Sequence, residues 1–140
     1  MSLLMRRRLF WHGVLLFVFG LIIGLAPMAF RNPRMAIAAH VGTLMSGLFV
    51  GLIGAMWADL RLSESGAVRL FWLTLVANYV NCIGLVLAAA LGTHQTTPIA
   101  GAGFTATAVE EAIVGAFLIG GAIPTFAVCG VLLIGLRKTK

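Results

Sequence analysis

A single imidazole, His40, sits inside an otherwise apolar stretch that runs over residues 35–57. An ionisable side chain at membrane depth is expensive, and by default it marks a functional site. Thr43, Ser46 and Gly47 follow His40 at spacings of three, six and seven, which puts all four on one helix face. Further along, Asn78, Asn81 and Cys82 follow Thr74 at spacings of four, seven and eight. Tyr79 lies about 100° round that helix from Asn78. A neutral imidazole is a common axial ligand of haem iron. One histidine does not hold zinc alone, and neither a cysteine nor a second histidine is near His40 by spacing. No Ser-His-Asp arrangement is evident. One histidine with asparagine and tyrosine around it fits either a five-coordinate haem or an acid–base pocket for a small apolar substrate.

Each of these residues also has a plainer reading. His40 can simply bond a neighbouring carbonyl, and Thr43, Ser46 and Thr74 can serve as hydrogen-bond glue between helices. Glu110 and Glu111 suit a helix start, where the dipole favours negative charge. His12 and His94 fall at membrane edges, where interfacial or loop roles are expected.

The elements that must hold these groups are set by composition. The chain has 140 residues, 61% of them hydrophobic and 10% charged. A soluble domain is nearer half apolar and a quarter charged. So small a body cannot hide that much apolar surface from water, so the bilayer is its solvent. A crossing takes about 20 apolar residues, and four stretches qualify: about 10–30, 35–58, 68–91 and 109–136. The first is too long for a signal segment and has no small-residue cleavage site, so it reads as a retained helix. Between the stretches lie a short turn, Arg31-Asn32-Pro33-Arg34, a polar turn over 59–66, and a longer Gly-, Thr- and Ala-rich connection over 92–108. Pro33 suits the first turn of the second helix. Pro124 is expected to kink the fourth helix or free a carbonyl.

Arg6, Arg7, Arg8, Arg61, Arg69, Arg137, Lys138 and Lys140 fall on one side, and only Arg31 and Arg34 on the other. That asymmetry places both termini in the cytoplasm. Trp11, Trp57 and Trp72 lie toward the same face, as an aromatic belt would. The net charge of +6 therefore reads as lipid-headgroup anchoring rather than nucleic-acid binding. Gly20 with Gly24, and Gly47 with Gly51, are small-xxx-small pairs that let helices approach closely in lipid, and Gly115, Gly120, Gly121 and Gly130 add more on the fourth helix. Cys82 and Cys129 fall inside apolar spans and read as packing residues. No internal repeat supports an inverted-repeat transporter.

The ordered set Asn32-Pro33-Arg34-Met35, Ala39-His40 with Gly42 and Ser46-Gly47, Trp57 with Leu60, Leu62 and Ser63, and Tyr79-x-Asn81 resembles the hydroxylaminobenzene mutase and styrene oxide isomerase family. The resemblance continues through Ala88-Ala89, Gly92, Ala100-Gly101, Glu111 and the closing Gly135-Leu136-Arg137, and so covers essentially the whole chain. It implies a small four-helix membrane enzyme that rearranges its substrate internally. In the isomerase branch it implies a trimer with ferric haem b held between subunits by a histidine at the position of His40. The iron there acts as a Lewis acid on an epoxide oxygen, and an aldehyde leaves. Tyr79 and Asn81 match the residues that line that pocket. The mutase branch converts an aryl hydroxylamine to an aminophenol. The isomerase pattern has an asparagine six residues after the histidine, where this chain has Ser46. With the short chain, that departure leans toward the mutase branch.

The expectation is therefore an all-α, integral membrane four-helix bundle, homotrimeric, in a bacterial-type inner membrane. It binds a small apolar aromatic substrate and carries ferric haem b on His40, with Tyr79, Asn81, Ser46 and Asn78 at the reacting centre. Two rivals differ in class. A haem electron carrier would usually show two axial histidines at depth. A small four-helix multidrug-type transporter would carry an acidic residue inside its first helix, and this chain has none there.

Overall fold

The computed structural model describes residues 2–137, with the side chain of Ser2 left aside. Lys138 and Lys140, which entered the charge count above, lie outside the described residues. The chain forms four long helices: α1 (Ser2–Leu25), α2 (Pro33–Met56), α3 (Glu64–Leu91) and α4 (Ala108–Arg137). All four are long and apolar enough to cross a membrane.

α1 differs from its expected span at both ends. It begins at Ser2, taking in the three arginines, and stops at Leu25 instead of running to Phe30. Pro27 has no backbone N–H and begins a short 3-10 turn over Pro27–Ala29, so the apolar run outlasts the helix. α2 starts with Pro33 in its first turn, and the Asn32 side chain caps it by accepting from the Met35 N–H. α3 starts earlier than expected because Ser63 caps it through the Gly66 N–H. It ends at Gly92, whose φ of 69° is the left-handed conformation glycine adopts without strain.

The helices pack in sequence: α1 lies along α2, α2 along α3, and α3 along α4, while α1 touches α3 only sparsely. α4 meets neither α1 nor α2 along its length, so within one chain the helices form an open row rather than a closed ring. Glycines set the two tightest seams. A Cβ on Gly13 would stand 2.8 Å from the Gly47 carbonyl oxygen and 2.9 Å from the Gly51 nitrogen. A Cβ on Gly121 would stand 2.6 Å from the Asn81 Cβ. Gly20 and Gly24 also face α2, against Leu44 and His40, whereas nothing crowds Gly130. The outer faces of α2 and α4, with Ile37, Val41, Met45, Ile119, Ile123 and Phe126, are exposed and apolar, as lipid or another copy of the chain would require.

Candidate active site

At one end of the row the 92–107 connection folds down over the helix ends and is fastened there. Asn32 is fully buried, and its Nδ2 donates to the Ala100 carbonyl at 2.9 Å. Arg31 donates to the carbonyls of Leu91 at 2.9 Å and Thr105 at 3.0 Å. Arg34 donates to the Ala102 carbonyl and lies over the Phe104 ring, 5.7 Å from its centroid. From α4, the buried Glu111 carboxylate accepts the backbone N–H groups of His94 at 2.9 Å and Gln95 at 3.0 Å, with His94 Nδ1 2.8 Å away. Glu110 forms a capping box with Thr107: its Oε2 accepts from the Thr107 N–H at 2.7 Å, and its own N–H donates to the Thr107 hydroxyl. Glu110 thus starts a helix and Glu111 holds a loop, while His94 belongs to that fastening.

His40 is half-buried on the α1–α2 seam, where its Nδ1–H donates to the Gly20 carbonyl at 2.7 Å. Gly24 backs the ring, and a Cβ there would stand 2.6 Å from Cε1. The ring is thus fixed in one orientation by a backbone oxygen, and Nε2 keeps its lone pair. Metal-binding histidines are held in this way, with one ring nitrogen donating to a carbonyl and the other free for the metal. Among the described residues, no group of three His, Cys, Asp or Glu side chains gathers to hold an ion. The one imidazole so held is the group that could offer a nitrogen to a haem iron. Gly24→Val is expected to push the imidazole off the Gly20 oxygen and to cost about 1–3 kcal/mol of overpacking. Thermal unfolding in detergent and the ring-nitrogen NMR signals of His40 read the two effects.

Between α1, α2 and α3 lies an apolar cleft of about 330 Å³, and His40 is not among its lining residues. Leu16, Phe19, Ile22, Thr43, Tyr79 and Cys82 are among its walls. That volume is at the small end of the about 300–1,000 Å³ usual for ligand pockets, a size for one aromatic ring. Phe19 and Ile22 are exposed, so the cleft opens sideways toward lipid. The Tyr79 hydroxyl lies 2.9 Å from His12 Nδ1, and the two rings meet edge to face at 5.7 Å. The Thr43 hydroxyl is buried, with the Cys82 thiol as its polar neighbour. The Cys82 thiol faces Thr43 and Ser46, so Cys82 is a wall of the cleft as well as a packing residue.

The other α3 residues divide. Asn78 is buried and donates to the Thr74 carbonyl one turn back at 2.8 Å. Asn81 lines a separate hollow against α4, with Thr125, Phe126 and Cys129. Tyr79 and Asn81 are two residues apart, and such side chains do not face each other on a helix. One chain therefore turns them to different seams, Tyr79 toward α1 and Asn81 toward α4. Sequence reasoning missed His12, which it placed at the membrane edge. Its only sequence signal is that it is an imidazole inside the first apolar helix.

Residues 5–137 match the styrene oxide isomerase family. The chain belongs to this family. Hydroxylaminobenzene mutase HabA of Ectopseudomonas oleovorans is 35% identical over 136 residues, covering 96% of this chain and all of that protein. Hydroxylaminobenzene mutase HabB of the same organism is 32% identical over 133 residues, covering 94% of this chain and 81% of its own length. No solved structure matches. Family and relatives alike are isomerases, and the chain is an enzyme of that class.

Proposed function

We propose that the protein is a membrane-embedded intramolecular isomerase of a small aromatic substrate, converting an aryl hydroxylamine to an aminophenol or an aryl epoxide to an aldehyde. The observation that carries this reading is the end-to-end match to two hydroxylaminobenzene mutases. The hydroxylamine is the first choice, because Ser46 stands where the epoxide branch has asparagine. Both reactions polarise an oxygen that leaves one atom for another while water, the competing nucleophile, is kept away. The lipid-facing cleft serves the second need, since its lining is almost wholly apolar and its occupant arrives through the bilayer. Tyr79 serves the first by donating its phenolic hydrogen to the charge that grows on the departing oxygen. Ser46 and Asn78 form the buried polar band behind Cys82, and Asn81 belongs to the α4 side.

In this reading His40 holds ferric haem b through Nε2, with Gly20 and Gly24 fixing the ring. A haem held there would supply a Lewis-acid iron to the substrate oxygen. The protein assembles as a trimer through its exposed apolar faces and sits in the inner membrane with both termini in the cytoplasm, on the charge asymmetry of its ends.

The test is to incubate purified protein with phenylhydroxylamine and with styrene oxide and to identify the products. Aminophenol or phenylacetaldehyde is expected, and recovery of both substrates unchanged would sink the reading. The same preparation is expected to show a Soret band that His40→Ala removes. A colourless active enzyme would remove the haem and leave the isomerase standing. Native mass spectrometry in mild detergent is expected to show three copies, and a monomer would end that part.

A further inference from the structure

We infer that His12 is a positioning residue for Tyr79, freeing its phenolic hydrogen for the oxygen of a substrate whose ring lies in the cleft against Leu16 and Phe19. This rests on the isomerase reading and says where within one chain that chemistry is set up.

A tyrosine has a single O–H. If Tyr79 donated that hydrogen to His12, nothing would be left for an oxygen in the cleft. With the proton on His12 Nδ1 the direction reverses: the imidazole N–H donates to the phenol oxygen, and the phenol hydrogen is free. The 2.9 Å separation and the edge-to-face rings suit either tautomer, so an acceptor arriving in the cleft selects the second. A phenol that accepts a hydrogen bond is also the stronger donor through its own hydrogen. One further observation bears on how the phenol is aimed. The cleft lies between α1 and α3, which touch only sparsely, and the His12–Tyr79 bond spans those two helices, so the contact joining them also aims the phenol.

The experiment uses full-length protein in detergent or vesicles and whichever of phenylhydroxylamine and styrene oxide the wild type converts. His12→Leu is expected to lower kcat about tenfold to a hundredfold, the cost of a misaimed group, with KM nearly unchanged. His12→Asn places an amide N–H near the position of Nδ1–H and is expected to restore most of kcat. Tyr79 is the one tyrosine in the chain, so its ultraviolet resonance Raman bands report the phenol alone. They are expected to shift in His12→Leu and to return in His12→Asn. Should His12→Leu fail to fold, His12→Phe, which keeps a ring but has no donor, replaces it. Wild-type kcat in His12→Leu or its replacement would overturn the inference. So would a His12→Asn enzyme that restores the Raman bands but stays slow. A wild type inert toward both substrates overturns the isomerase reading instead, and this inference with it.

Discussion

Tyr79→Phe is expected to lower kcat by about two to three orders of magnitude, the usual loss when one preorganised donor to a developing oxyanion is removed. KM is expected to change little, because the ring stays in the cleft and only a bond made strongest in the transition state is lost. The size of the effect separates this role from a structural one. The Tyr79–His12 bond is a single hydrogen bond, worth about 0.5–1.5 kcal/mol to the fold. A Phe variant that merely lost it would remain folded and lose activity only in proportion to the protein unfolded. Steady-state kinetics beside a thermal melt in detergent read both quantities. A Phe enzyme that melts early but turns over normally would make Tyr79 a strut between α1 and α3, and the oxygen would have to be polarised elsewhere.

The sequence made the number of helices plain because hydropathy alone selects segments long enough to cross lipid. Start signals were legible where a side chain meets a backbone group close by, as at Asn32 and Pro33. The end of α1 was not, since the run to Phe30 stays apolar after Pro27 has ended the helix. Helix faces were harder still. In a soluble helix the apolar stripe says which side turns inward, but a helix that is apolar all round carries no such mark. Polar spacing therefore grouped Asn81 with Asn78 and Cys82, whereas Gly121, which lets α4 close against Asn81, turns Asn81 to the other seam. His12 and Tyr79 are 67 residues apart, and their meeting depends on the approach of α1 to α3, which no local pattern encodes. His40 was legible as a residue that needed explaining. The Gly20 carbonyl that answers half of that need lies one helix away, twenty residues back.

The largest loss of stability from a polar side chain is expected at Glu111. Its carboxylate accepts two backbone N–H groups at the start of the 92–107 connection and is itself 4% exposed. Glu111→Ala removes the acceptor shared by two part-buried donors, at about 1–3 kcal/mol for the pair. The neighbouring Glu110 is the control. It too binds backbone, but at an exposed capping box, where water replaces the lost acceptor. Glu110→Ala should therefore lower the melting temperature slightly and Glu111→Ala substantially, although the two residues are adjacent and carry the same charge. Amide hydrogen exchange gives the local reading. His94 and Gln95 are expected to lose protection in Glu111→Ala and to keep it in Glu110→Ala. Equal melting temperatures for the two variants would mean that Asn32, Arg31 and Arg34 hold the connection without help from α4. The buried carboxylate would then need another purpose.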